Sequence, residues 1–324
     1  MKRRVLLLAS GALGALAAAR AKAQAKTPRL IGWLSPGTLE RDRPNIEAFT
    51  AQMKALGYVE GRDFVIERRQ SEGRVERLPS LAREIIAANP AVIVTASSGA
   101  IAALKKETSS VPIVFTSAAD VVEQGFVASL ARPGGNITGV TLRTEVFAKI
   151  VELMRETQPS AKRFALLVPD RDPSATKIID DFRHFGSAQG FQMTVFPVKQ
   201  AEDLGRAFAE MARARTEVVV APQLVMLVIH EKTVADLAMK SRLPVYSSWR
   251  VARDGVLMSH YSEITENHRR VAAMVDKIFK GTKPADIPVE QPDRFSLVIN
   301  LRTAKALGIE IPQSVLVRAD EVIQ

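Results

Sequence analysis

The sequence predicts an α/β protein made of two doubly wound, Rossmann-like lobes joined by a multi-strand hinge. Short β-branched, apolar runs alternate with amphipathic helical stretches from residue 29 onward. Apolar strands without alternation, each followed by a helix, are typical of a parallel sheet covered on both faces. The same pattern begins again near residue 146, which indicates a second unit of similar size.

The first unit shows five strand-like runs separated by helical stretches. Ile46, Phe49 and Met53 fall at helical spacing and illustrate the pattern that predicts a helix. Strands are expected at 29–34, 64–68, 91–95, 112–116 and 137–142, and helices at 44–56, 78–88, 100–107 and 121–130. Trp33 is expected to point into the core of this lobe.

The second unit repeats the alternation at similar spacing. Helices are expected at 146–156, 174–189, 203–214, 225–240 and 265–280, and strands at 164–168, 192–198, 218–221, 245–248 and 256–259. The last part of the chain is too short for a third domain. We therefore expect one lobe from residues 26–143 plus about 263–285, and the other from 144–262 plus about 286–324. The expected crossings are 141–145, 261–264 and 283–292.

The first 25 residues have the layout of a secretory signal peptide. Lys2, Arg3 and Arg4 precede an apolar stretch that is too short and too rich in Gly and Ala for a stable membrane span. Cleavage is expected near Ala23 or Ala25, by the general or the twin-arginine export route, and a retained anchor is the alternative. The protein is thus expected in the periplasm.

Charge and cysteine content limit the partners. The leader carries five basic residues, so its removal lowers the net charge from +10 to +5, spread without a basic block, and no nucleic-acid partner is expected. The chain has no cysteine, which excludes a lipoprotein anchor and disulfides. A chain of this length can bury enough apolar surface to fold without them. We expect a free, monomeric protein.

Polar residues follow the predicted strands, at the edge where ligands bind in open parallel sheets. Hydroxyls at adjacent helix starts suit a carboxylate, although capping alone explains many such residues, Asp120 in particular. Aromatic rings near strand ends suit an apolar pocket wall. The predicted ligand-binding residues are Ser35, Thr95, Ser97, Ser98, Thr116, Ser117, Asp120, Thr141, Gln223, Trp249 and Tyr261.

The sequence offers little support for catalysis. Its four histidines form no zinc-binding pair, no G-x-S-x-G motif is present, and thiol chemistry is impossible without cysteine. His260 lies at a predicted strand end but has no evident nucleophile. No catalytic residue, metal or cofactor is therefore expected.

Four stretches carry a family resemblance: VPIVFT (111–116), LARPGGNITGV (130–140), LVINLRTAKALG (297–308) and PQSVLVRADEV (312–322). Over essentially the whole mature chain the sequence resembles the substrate-binding proteins of ABC transporters of the tryptophan/tyrosine-uptake type, which have the type I periplasmic-binding fold. The resemblance implies a two-lobed receptor that closes on a small solute and delivers it to a membrane permease.

Two departures from the family pattern bear on the ligand. Family members that take aromatic amino acids look to have an Asp-Asn pair at the strand end that corresponds to Ala221–Pro222–Gln223 in this chain. An Asp-Pro pair after the fourth strand is here Asp120–Val121. A carboxylate or aromatic acid is therefore as compatible with the sequence as an amino acid. A sensing subunit and, less favoured, a periplasmic hydrolase are the alternatives.

Overall fold

The structure is a computed structural model that describes residues 27–142, 145–170, 172, 174–251 and 254–324. The predicted leader, residues 1–25, lies outside the described residues. The strands are β1 (Arg29–Ser35), β2 (Phe64–Gln70), β3 (Val92–Ala96), β4 (Ile113–Ala118), β5 (Ile137–Thr141), β6 (Arg163–Pro169), β7 (Gln192–Val198), β8 (Val218–Ala221), β9 (Val245–Ser247), β10 (Val256–Ser262), β11 (Phe295–Asn300) and β12 (Glu321–Ile323).

The helices alternate with these strands. They are α1 (Leu39–Ala55), α2 (Leu78–Ala87), α3 (Ser98–Glu107), α4 (Glu145–Thr157), α5 (Ala175–Ala188), α6 (Leu204–Arg213), α7 (Val225–Ile229), α8 (Glu231–Ser241), α9 (Ile264–Phe279), α10 (Leu301–Leu307) and α11 (Gln313–Leu316). None of the helices of the described residues combines the length and the apolar character needed to cross a membrane.

The first lobe is built on a parallel sheet with the strand order β2-β1-β3-β4-β5. Successive side chains of a strand point to opposite faces, so Trp33 and Leu34 of β1 enter separate cores. Trp33 is buried among Phe49, Val94 and Val275, which confirms that it belongs to the core of its own lobe. Each face of the sheet is thus covered by helices.

The second lobe has a larger sheet with the order β12-β11-β10-β9-β8-β6-β7. Its strand pairs are parallel except β10 with β11, which is antiparallel. Leu166 and Leu167, neighbours in β6, again enter different cores on the two faces. Two covered sheets confirm the predicted fold class.

The chain crosses between the lobes at three places. The first of these spans residues 143–144, which the structure does not describe. The first crossing joins β5 to α4 and the second joins β10 to α9, whose Val271 and Val275 pack in the first lobe. Before β11 the chain stays with the first lobe longer than expected. Ile287 and Val289 belong to first-lobe cores, and Val140 bridges to Glu290. The return to the second lobe therefore lies after Glu290, toward the end of the predicted crossing at 283–292.

Two predicted helices differ in the structure. Residues 121–130 form consecutive turns because Asp120 and Gly125 have φ of 51° and 65°, which a continuous helix does not permit. Val121 and Phe126 are nevertheless buried in the core, which explains the apolar pattern that resembled a helix. The expected helix over 225–240 is divided at His230 into α7 and α8.

A backbone contact at Gly255 provides a test of the second lobe. Its φ is +107°, and a Cβ there would lie 2.1 Å from the carbonyl oxygen of Ala235. Gly255→Ala should lower the free energy of unfolding by about 2 kcal/mol or more, because the backbone of α8 would have to move.

The matched control is Gly205→Ala in α6, where nothing lies within 4 Å of the added Cβ. Alanine is the better helix former, so this variant should keep or raise stability. Urea unfolding measures both variants. Equal midpoints would contradict the packing described here.

Candidate functional site

A cleft between the lobes lies at the carboxyl ends of both sheets. It has two adjoining compartments, of which the second is the wider. Both are lined by Ser97, Ser117, Gln223 and Val225, so one ligand could reach both. This is the position in which open parallel sheets bind ligands.

The first compartment combines hydroxyl groups with an apolar wall. Phe147, which packs on Phe182 with ring centroids 4.7 Å apart, forms part of that wall. The remaining lining residues are Ser97, Ser98, Ser117, Ala119, Leu142, Val146, Asp172, Ser174, Ile178, Gln223, Leu224, Val225, Ser248 and Ser262. Among these described residues Asp172 is the one charged side chain, so the compartment suits a small, largely apolar ligand with a few polar groups.

Two serines are held at the cleft by unusual backbone geometry. Ser97 has φ 75° and ψ 147° and caps α3, with its Oγ accepting from the amide of Ala100 at 3.4 Å. Ser117 has φ 56°. Positive φ at a non-glycine residue costs energy and is concentrated at functional sites. Both residues line both compartments.

Asp172 follows β6 and faces the first compartment from the second lobe. Its Oδ1 accepts from the backbone amide of Ser174 at 2.9 Å. Desolvation by the surrounding protein raises the pKa of the Asp172 carboxyl, and hydrogen bonds from Ser174 oppose this shift. Sequence analysis did not select Asp172, although its place just after a buried strand is the signal that selected the other candidates.

The second compartment is lined mainly by the first lobe and α7. Ser35 donates to Asp42 Oδ1 at 2.9 Å, and burial raises the pKa of that carboxyl. Thr116 and His268, both buried, also line this compartment. Asp42 and His268 are further cleft residues that sequence analysis missed, because they lie within helices and not at strand ends.

The structure brings six of the predicted ligand residues to the cleft. They are Ser35, Ser97, Ser98, Thr116, Ser117 and Gln223. The backbone N–H of Gln223 donates to Ser248 Oγ at 2.6 Å, which fixes the strand end beside the first compartment.

The other five predicted residues do not line either compartment. Thr95 and Thr141 are buried and donate to the carbonyl oxygens of Leu34 and Ala118. Asp120 instead faces Lys177, with a distance of 3.9 Å between carboxylate and ammonium.

Trp249 and Tyr261 were also predicted to contact the ligand, but neither residue lines a compartment of the cleft. Trp249 is buried in a core of the second lobe, and its indole N–H lies 3.4 Å from Glu231 Oε2. Tyr261 is buried in β10, where burial and the nearby Glu263 raise the pKa of its hydroxyl to about 12. Proximity to a strand end did not determine the direction of either ring. His260, the one catalytic candidate, stacks on Phe295 away from both compartments.

The lobes touch across the cleft, so the conformation is closed. Ser98 and Ser174 hydroxyls lie 3.3 Å apart beside the first compartment. At the rim of the second, Arg41 pairs with Glu231 at 3.3 Å, and the side chains are 34% and 18% exposed. Asp120 and Lys177 add the third of these contacts.

Two covered lobes that meet over a ligand-sized cleft define a solute-binding protein. Residues 44–323 match the family model described as ABC transporter substrate binding protein. The chain belongs to that family, and its role is to bind a small solute as a component of an ABC transporter.

The individual proteins that this chain resembles have sequence identities between 21% and 23%. A tyrosine-binding protein of Clostridioides difficile (strain R20291) is 21% identical over 265 residues, which are 82% of this chain and 76% of that protein. The ABC domain from Streptococcus pneumoniae, crystallised with L-Trp, has a TM-score of 0.84 at 23% identity and covers 92% of this chain and 100% of its own. A conserved domain protein from Vibrio cholerae has a TM-score of 0.86 at 23% identity, covering 91% and 100%.

The ion pair between Arg41 and Glu231 should favour closure to a measurable degree. A partly exposed pair contributes about 0.2–1 kcal/mol, so Arg41→Gln should shift the ratio of closed to open protein by up to about fivefold. Small-angle scattering of the ligand-free protein should show a larger radius of gyration.

Arg206→Gln is the matched control, because Arg206 pairs with Asp203 and Glu210 within one lobe. Its radius of gyration should equal that of the unaltered protein. The same radius for both variants would mean that Arg41 does not hold the lobes together.

Proposed function

We propose that this chain is the periplasmic solute-binding component of an ABC importer and that its solute is a small α-amino acid. The observation that carries the choice of ligand is the half-buried carboxylate of Asp172, the single charged group among the described residues of the first compartment. Desolvation raises the pKa of the Asp172 carboxyl because it disfavours the ionised form. A ligand cation beside the carboxyl would stabilise that ionised form. The α-ammonium group supplies that cation.

The opposite end of an amino acid also finds suitable partners. Ser97 and Ser98 stand at the start of α3, where helix amides and the positive end of the helix dipole favour an anion. Ser98 Oγ is 3.3 Å from Ser174 Oγ, and the Ser174 amide donates to Asp172. The acidic and hydroxyl groups are therefore close enough to hold both charges of one small zwitterion.

Asp172 can supply the acidic group that this chain lacks at the end of β8. The strand end at Gln223 lacks the acidic residue of the Asp-Asn pair found in family members that take aromatic amino acids. In the structure Asp172 and Gln223 line the same compartment, and the acidic group comes from β6 in place of β8. The tyrosine-binding relative and the L-Trp complex support the same class of ligand.

Closure supplies the mechanism. The ligand contacts groups from both lobes, so it binds the closed form more tightly than the open form and shifts the population toward closure. The permease then receives the closed, loaded protein, and the solute leaves chemically unchanged. The basic, apolar start of the sequence supports export to the periplasm.

Asp172→Asn tests the ligand class. The variant keeps the size of the side chain but removes its charge, and the loss of a charge-assisted bond of about 1.5–3 kcal/mol should weaken amino-acid binding about 10- to 100-fold. Isothermal titration calorimetry measures the affinity. Asp170→Asn, at the exposed carboxylate two residues earlier, is the control and should bind normally. Unchanged affinity in Asp172→Asn would rule out this role for its carboxylate.

The raised pKa of Asp172 also predicts a pH dependence. A ligand ammonium pairs with the ionised carboxyl, so the affinity should fall as the pH drops through that pKa, by up to about tenfold per pH unit. The fall should begin above the pH at which an ordinary aspartate titrates. Asp172→Asn should lose this dependence, and a variant profile identical to that of the unaltered protein would argue against the assignment.

A further inference from the structure

Gln124 stands behind the first compartment, in the turns that follow β4. Val121 and Phe126 of this segment are buried in a core of the first lobe. The side chain of Lys105 in α3 donates to the carbonyl oxygen of Gly125. The segment is therefore held against α3, and the Gln124 side chain extends from a fixed position beside the start of that helix.

The hydrogen-bond partners of Gln124 fix the orientation of its side-chain amide. Its Nε2 lies 2.8 Å from the carbonyl oxygen of Ala119 and 3.1 Å from Ser98 Oγ. A carbonyl oxygen can only accept, so the group that faces Ala119 is the NH2 and not the amide oxygen. Both hydrogens of Nε2 are thereby assigned, and Ser98 Oγ accepts one of them.

The Ser98 hydroxyl accepts a second hydrogen bond from the other side of the cleft. Ser174 Oγ donates to Ser98 Oγ at 3.3 Å, and this bond joins the two lobes. A hydroxyl oxygen has two lone pairs and one hydrogen. In the closed form Gln124 and Ser174 occupy both lone pairs, and no described residue accepts the Ser98 hydrogen.

The Ser98 hydrogen is thus left for a solute. Ser98 is buried and lines the first compartment, next to Ser97 at the start of α3. A solute atom placed against it in the closed protein has to be an acceptor. A donor there would face a hydroxyl that can no longer accept, and would itself stay unpaired. In the open protein one lone pair of Ser98 is free, so the same hydroxyl can accept or donate.

We propose that Gln124 is a positioning residue of the solute site, which acts with Ser174 on Ser98 so that closure makes the Ser98 hydroxyl a pure hydrogen-bond donor toward a solute oxygen. Gln124 does not line either compartment, so it acts without touching the solute. The inference rests on the function proposed above, in which that oxygen belongs to the ligand carboxylate. Closure then strengthens the binding of an anionic end group and disfavours a donor group at the same place.

The test is a double-mutant cycle on Gln124 and Ser98, measured by isothermal titration calorimetry. The probes are the twenty L-amino acids and, for the tightest of them, its carboxamide, in which NH2 replaces one carboxylate oxygen. Ser98→Ala should weaken binding of the amino acid about tenfold or more, because a charge-assisted hydrogen bond is lost. The carboxamide, which makes a neutral bond, should lose less, so the ratio of the two affinities should fall.

Gln124→Met removes the donor but nearly keeps the size of the side chain. The Ser98 hydroxyl is then no longer oriented and polarised by Gln124, so this variant should weaken binding of the amino acid about two- to fivefold and lower the same ratio. In the Ser98→Ala background Gln124→Met should have almost no effect, because Gln124 acts through Ser98. A purely structural role of Gln124 would weaken binding in both backgrounds and leave the ratio unchanged.

A second variant reverses the hydrogen bond. The carboxylate in Gln124→Glu can accept the Ser98 hydrogen and draw it away from the solute, so binding should weaken more than in Gln124→Met. Any loss that remains in the Ser98→Ala background measures the added charge alone.

Gln158→Met is the matched control. Gln158 Nε2 donates to the Tyr246 hydroxyl at 3.2 Å within the second lobe, and Gln158 lines neither compartment of the cleft. The same substitution there removes a comparable hydrogen bond. It should leave both the affinity for the amino acid and its ratio to the carboxamide unchanged.

The outcomes separate the two proposals. An amino acid that binds equally well to Gln124→Met, or that loses the same factor with and without the Ser98 hydroxyl, would overturn the positioning role and leave the proposed function standing. Binding of none of the twenty amino acids would overturn both. A loss in Gln124→Met that disappears in the Ser98→Ala background would establish the positioning role.

Discussion

The direction of the strands is the constraint on which the site depends. In both lobes parallel strands end at the cleft, so the loops after β3, β4, β6 and β8 meet at one seam. Helix starts lie beside them, and their amides have no intrahelical partners. Polar side chains and helix-start amides, which attract anions weakly, are thereby concentrated at the cleft between the two lobes. We propose that ligand chemistry is then decided by a few side chains, above all Asp172 and the serines of the first lobe.

The contacts that the protein itself makes between its lobes stabilise the closed form only weakly. The contacts between lobes described here are a hydroxyl pair and two partly exposed ion pairs, each worth about 1 kcal/mol or less. Thr116 Oγ1 and Ser117 Oγ, which line the second compartment, have no hydrogen-bond partner among the described residues. A ligand that satisfies these groups can therefore change the balance between open and closed protein, as uptake requires.

Much of the fold follows from the sequence, because buried parallel strands and amphipathic helices have strong periodic patterns. The segment 121–130 shows the limit: its apolar residues are buried as expected, but positive φ at Asp120 and Gly125 is not visible in a hydrophobic pattern. At the site, the strand ends drew attention to Ser97, Ser98 and Ser117, which line the first compartment.

Side-chain direction could not be predicted in the same way. Trp249 follows a strand end yet turns into the core, where its indole pairs with Glu231, and Thr95 satisfies a backbone carbonyl. His268 reaches the cleft from a helix that the chain contributes after its second crossing. Under the proposed function, the cleft holds one small amino acid and releases it unaltered. Equilibrium dialysis of the intact protein with a mixture of free amino acids, followed by denaturation and mass spectrometry, tests it most directly. One unmodified amino acid recovered per chain is the predicted result, and recovery of none, or of a chemically altered product, would contradict the account.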